Sequence, residues 1–304
     1  MALGGQKFKS SIDYASLGDR LRAYRVGAGL QAEEIAAQLG VSRAVVYRME
    51  KGEIVKIETL ERLALLLGTS LASVLGVEVE YYSNALGLFE RMRQLEQASD
   101  RIFAHFEPIS QLLTSEEYLQ SLHTMLLEAV PRQTGGVFKQ READEFMRII
   151  AERRAWFESK RPHLVALIGL QELQRFVQLG VVGRLELPEH VRRERQQLAV
   201  REVERMIDLL ENAPLNVQIG LIDDVMPSST FQLFASARRK FVTVSPFRLG
   251  ELPNVRNGIA TVTAAPEAVK MYENMINRLW RHAYKGEAGA RLLRRMLQQP
   301  PPAS

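Results

Sequence analysis

Between residues 16 and 76 the apolar positions recur in short helical groups separated by single glycines. Gly29, Gly40, Gly52, Gly68 and Gly76 fall between the groups, where a left-handed residue ends a helix most easily. The spacing predicts five helices, near 16–28, 31–39, 42–51, 57–67 and 71–75. From 82 to 107 a longer helical pattern runs toward Pro108. Leu88, Met92, Leu95, Ser99, Ile102 and Phe106 step alternately by four and three, a coiled-coil-like seam with one polar position. It suits a helix packed on its own domain or a contact with a second copy of the chain. Residues 115–130 and 141–212 also read as mostly helical, with breaks at Pro162, Gly169, Gly180 and Pro188.

After Pro214 the pattern changes. NVQIGLID (216–223), TFQLFAS (230–236), KFVTVS (240–245) and GIATVT (258–263) collect β-branched and aromatic residues between turn signals. They predict three or four strands of a small sheet, with a hairpin around Ala237–Arg238–Arg239. Pro266 stands where a helix should begin, and a last basic helix covers roughly 287–298. The expected architecture is an all-α five-helix domain at 16–76 and a helical linker or dimerisation helix at 77–113. A mostly helical α+β domain with a small sheet follows at 114–298. A flexible arm (1–15) and a disordered tail (299–304) flank them.

Composition narrows the possibilities. Nearly half of the 304 residues are hydrophobic, enough for sizeable cores. There is no cysteine, hence no disulfide framework and no thiolate ligand or nucleophile. No apolar run approaches the roughly 18 residues of a membrane span, and the N-terminus lacks the apolar core of a signal peptide. A cytoplasmic protein without membrane contact is expected. The net charge of +4 permits a polyanionic partner without requiring one. His105, His123, His163, His190 and His282 are far apart and fit no metal-ligand spacing. Asp223–Asp224 follows a strand without a partner motif, and no glycine-rich phosphate loop is present. No cofactor, metal or enzymatic activity is expected.

The stretch QAEEIAAQLGVSRAVVYRMEKG (31–52) carries more information. Gly40 closes one helix, and Ser42 is a strong N-cap for the next. Ile35, Ala36 and Leu39 face Val46 and Met49 across the turn, with Ala36 small enough for a steep crossing. This is the pattern of a helix-turn-helix. Arg43, Ala44, Tyr47, Arg48 and Lys51 then point away from the core stripe. That outward face is basic and has no acid of its own. Glu50 lies near the core side, where Arg25 of the first helix is its expected partner.

With LGDRLRAYR before this stretch and TLERLALLLGTSL after it, residues 17–76 resemble the xenobiotic-response-element family of helix-turn-helix regulators, which includes phage repressors. The resemblance covers about the first quarter of the chain. It implies double-stranded DNA as the partner and Arg43, Ala44 and Arg48 as readers of base edges. Arginine suits guanine O6 and N7, and an alanine methyl suits a thymine methyl. It implies phosphate contacts from Gln31 and Ala32 at a helix N-terminus, and from Tyr47, Lys51 and Lys56. The Arg25–Glu50 pair matches a structural feature of the family. Many members carry glutamine at the second position of helix two, where this chain has Ala32, preceded by Gln31. One such head contacts few base pairs and usually works as a dimer on two half-sites, which favours a dimer contact for the 88–106 seam. The larger C-terminal part loosely resembles effector-sensing regions of longer regulators. The alternative is an adaptor or antitoxin-like protein whose C-terminal domain binds another protein.

Overall fold

A computed structural model describes residues 14–53, 56–76, 79–129, 136–212 and 214–298. Most of the arm and all of the tail read from the sequence lie outside the described residues. Among the described residues, no helix is long and apolar enough to cross a membrane. The chain divides into two compact units, Met1–Glu80 and Tyr81–Ser304.

The first unit contains α1 (Tyr14–Gly27), α2 (Ala32–Leu39), α3 (Arg43–Met49), α4 (Ile57–Leu66) and α5 (Leu71–Leu75). Its core joins Leu17 and Leu21 of α1 to Ile35, Leu39, Val46, Met49, Leu63 and Val74. Arg20 is nearly buried beneath α5. Its guanidinium donates to the carbonyls of Val74 (2.7 Å) and Leu75 (2.9 Å), two of the carbonyls that a helix end leaves without partners.

The second unit is built on a seven-stranded mixed sheet, ordered β1-β7-β6-β5-β2-β3-β4. The strands are β1 (Val79–Tyr82), β2 (Arg101–His105), β3 (His163–Gly169), β4 (Val217–Ile222), β5 (Thr230–Ala235), β6 (Lys240–Ser245) and β7 (Ala260–Thr263). β2, β3 and β4 run parallel, whereas β5 is antiparallel to β2 and continues into an antiparallel meander. The helices are α6 (Ala85–Gln97), α7 (Glu116–Ala129), α8 (Gly136–Lys160), α9 (Leu170–Leu179), α10 (Glu189–Glu211), α11 (Pro266–His282) and α12 (Gly286–Gln298). Helix α11 packs on β4, β5 and β6. Beneath it Phe231, Leu233, Val242, Leu167 and Ile222 meet Val269 and Ile276.

Three expectations need correction. The pattern at 82–107 is not one helix. α6 ends at Gln97, the Ser99 hydroxyl donates back to the Leu95 carbonyl at 2.7 Å, and the chain becomes β2. Ile102 and Phe106 are four residues apart, a spacing that suits a strand period of two as well as a helical turn. Leu88, Met92, Leu95, Ile102 and Phe106 are all buried within the second unit, so they form no dimer seam in this fold. The described part of the expected 77–113 linker, residues 79–113, is accordingly not a continuous helix, because it contains β1 and β2 and β2 lies inside the sheet, between β5 and β3. The sheet is also larger than expected. HLVALIG (163–169) falls within the stretch whose pattern predicts helix, yet it forms β3. A strand buried on both faces shows a continuous apolar run, which periodicity cannot distinguish from a buried helix.

α6 is joined to α8 by a charge pair inside the unit. The Arg153 guanidinium donates to Glu96 at 2.8 and 2.6 Å, and the two side chains are only 2% and 1% exposed. Arg153 also lies 5.2 Å above the Phe89 ring. Removing one member of a buried pair leaves the other charge desolvated and unpaired. Glu96→Gln should lower the stability of the second unit by about 3–5 kcal/mol, read as an earlier transition for that unit when the full chain is unfolded in urea.

Candidate nucleic-acid interface

A seven-residue helix such as α3 is too short to be stable alone, so its surroundings must hold it. α2 ends at Gly40 with φ 70°, ψ 33°, and the Val41 amide donates to the Ala36 carbonyl at 3.0 Å. Ser42 holds an extended N-cap conformation, but its side chain makes no capping bond. Its carbonyl still accepts from the Val45 amide at 2.9 Å. Val46 and Met49 are buried opposite Ile35, Ala36 and Leu39, the stripe expected from the sequence.

The C-terminal end of α3 is held from α1. Arg25 donates through two nitrogens to the two carboxylate oxygens of Glu50, the Nη2 bond being 3.1 Å. Arg25 also donates to the Leu30 carbonyl at 3.1 Å. One largely buried guanidinium thus joins α1, the loop before α2, and the end of α3. Gly18 completes this anchor. A Cβ there would sit 2.5 Å from the Glu50 carbonyl oxygen and 2.6 Å from the Gly52 amide nitrogen. α1 approaches α3 closely enough that only glycine fits. Its signal in the sequence is a glycine inside an otherwise helical pattern.

On the other side of α3, Arg43, Ala44, Tyr47, Arg48 and Lys51 are exposed. The Arg43 guanidinium donates to the Tyr47 hydroxyl at 3.0 Å and lies 5.1 Å from the centre of the Tyr47 ring. Arg43 is also 2.7 Å from Glu33 of α2. The Tyr47 hydroxyl, then the Glu33 carboxylate, push the Arg43 guanidinium above its ordinary range. Arg48 lies 3.6 Å from Glu53. The face therefore lacks acids in α3 itself, but neighbouring segments supply two, Glu33 and Glu53, which the pattern of a single helix does not contain. Such exposed pairs are weak and screened by salt, so phosphates or base edges can displace them. Lys51 and Lys56 are exposed and make no ion pair among the described residues.

The N-terminus of α2 is less open to phosphate than the sequence suggested. The Gln31 amide already donates to the Glu34 carboxylate, and Glu33 is exposed beside it. The Ala32 side chain is buried, leaving only its backbone N–H to face a ligand. Among the described residues, no group of histidine, aspartate and glutamate side chains could hold a metal ion.

Residues 16–75 match the family model of a helix-turn-helix domain. The first unit carries a helix-turn-helix domain. That match supports a DNA-binding regulator. No curated protein matches the chain significantly. Within the helix-turn-helix domain α3 is the recognition helix by position, the second of the pair. Arg25 and Gly18 set its angle without touching the outward face. Arg25→Ala should cost about 2–3 kcal/mol of domain stability, measured by thermal unfolding, because Glu50 is left without its two donors. Glu33→Gln should act oppositely on function. Losing an acid beside Arg43 should raise affinity for any duplex by a few-fold, and the gain should shrink as salt is added.

Proposed function

We propose that this protein is a sequence-specific transcriptional regulator that binds a palindromic operator as a homodimer. In this reading Tyr81–Ser304 joins the two copies and senses an effector. The observation that carries it is the division of α3 into two faces. Val46 and Met49 are buried in the domain, while Arg43, Ala44 and Arg48 stand exposed on the recognition side. Arg43 and Arg48 have the planar donor fork that fits guanine in the major groove, and Ala44 suits a thymine methyl. Tyr47, Lys51 and Lys56 border them as phosphate contacts, supported by Gln31 and the Ala32 amide. A single head of this size reads few base pairs, so two heads on half-sites about one helical turn apart supply the affinity.

The size of the second unit supports a sensory role, since joining two heads needs far less protein. Effector binding would change how well the two heads match the half-site spacing, through a difference in affinity between two states of the dimer. The dimer contact runs through a surface other than the 88–106 seam, whose apolar side chains are buried inside the unit.

Selection from a pool of random duplexes at two salt concentrations tests the reading. The expected product is an inverted repeat with guanine in each half-site. Arg43→Ala and Arg48→Ala should each lose about 1–3 kcal/mol on that operator and relax its sequence preference. Lys51→Ala should weaken binding to selected and random duplexes alike and reduce the salt slope by about one. Equal losses on both kinds of DNA for all three variants would exclude Arg43 and Arg48 as base readers. Monomeric mass at concentrations that saturate the operator would exclude the dimer.

A further inference from the structure

The strand register of the second unit places an unusual row of residues at one end of the sheet. Arg101 of β2 is the partner of His163 in β3 and of Ala235 in β5, and Ala235 is the partner of Lys240 in β6. Partners in register share a face of the sheet. Two residues further along each strand, the same face carries Phe103, Val165, Leu233 and Val242, which pack in or against the core beneath α11 or line a recess at its edge. The face that is apolar under the middle of α11 thus becomes polar at the amino-terminal ends of β2 and β3, with Arg101 as its cation.

A recess of about 310 Å³ opens there, within the usual range for small-molecule sites, about 300–1,000 Å³. Phe103, Val165, Ile276 and Trp280 form its apolar wall. Arg101, His163, Asn216, Gln218 and Asn277 supply its polar groups. Among the described residues, no carboxylate lines it. Lys240 of the same row is paired with Glu273, whereas Arg101 and His163 make no ion pair among the described residues.

The Trp280 wall is fixed by its neighbours. A Cβ on Gly220 of β4 would lie 2.8 Å from the Trp280 ring, so the indole rests against a strand position where a side chain is missing. The Lys285 ammonium lies 4.7 Å from the centre of the ring. A preformed apolar wall, amides for orientation, the Arg101 guanidinium over the Phe103 ring at 6.0 Å and the His163 imidazole as a hydrogen-bond donor together select a flat apolar body that carries a negative charge.

We propose that this recess binds a small aromatic carboxylate, with Arg101 and His163 holding the carboxylate and Phe103, Ile276 and Trp280 holding the ring. The assignment rests on the sensory reading of the second unit and gives it a site and a ligand class. The chain has two tryptophans, so Trp156→Phe leaves Trp280 as the only indole and its emission as a local reporter. Phenylacetate and 3-phenylpropionate are the probes, with their amides as uncharged counterparts. Calorimetry on the unsubstituted full-length protein repeats the titration independently of that variant's folding.

Both carboxylates should bind saturably and shift Trp280 emission. The amides should bind weaker by roughly tenfold, and Arg101→Gln should weaken carboxylate binding by a similar factor. Arg238→Gln, at the exposed hairpin turn outside the recess, should leave it unchanged. Failure of both carboxylates to bind, equal binding of acid and amide, or full affinity in Arg101→Gln would each overturn the site. Operator affinity measured with saturating carboxylate separates the two readings. Saturable binding that leaves DNA affinity unchanged would overturn sensing and leave the site standing. Loss of binding alone would remove the site and leave the DNA-binding assignment untouched.

Discussion

The helix-turn-helix unit of this protein depends on keeping a seven-residue helix in place from one side only. α3 cannot fold alone, and its outward side must stay free. Its fixation comes from two apolar side chains, Val46 and Met49, and from the bidentate pair between Arg25 and Glu50. The apolar contacts set the depth of the helix. The ion pair sets its far end and, through the Leu30 carbonyl, ties it to the loop that starts α2. Gly18 makes this geometry possible by letting two backbones approach where any Cβ would intrude.

The outward side shows the opposite economy. Its arginines are neither buried nor firmly bound, but they are not left to wander. Tyr47 and Glu33 hold Arg43, and Glu53 lies near Arg48. Exposed charge pairs of this kind are easily exchanged for a stronger anion. The cationic groups are thus partly ordered in advance, which lowers the entropy that any anion bound there would cost.

The second unit solves a different problem. Its central strands are buried on both faces, so charge inside it must be paired. Glu96 and Arg153 do this between α6 and α8. On the α11 face the same strands run from an apolar centre to a polar end, where Arg101 and His163 emerge beside the recess. A single alternation thus serves the core in one stretch and presents polar chemistry in the next.

Much of the first unit was legible in the sequence because its signals are local. Glycines mark the helix ends, helical spacing marks the buried stripe, and the absence of acid from the outward side of α3 marks the recognition face. The expected Arg25–Glu50 pairing could be read because each residue sits at a recognisable place on its own helix. The second unit was less legible for a physical reason. Ile102 and Phe106 fit a helix or a strand equally well, and HLVALIG, buried on both faces, has no alternation to reveal it. By itself the sequence determined the helix-turn-helix domain, the outward set of side chains on α3, and the strands after Pro214. Only tertiary structure decided that 101–105 and 163–169 are central strands, that Glu33 and Glu53 reach the arginines of α3, and that Arg101, His163 and Trp280 line one recess. Those outcomes depend on contacts between residues distant in the chain, and local periodicity contains no information about them.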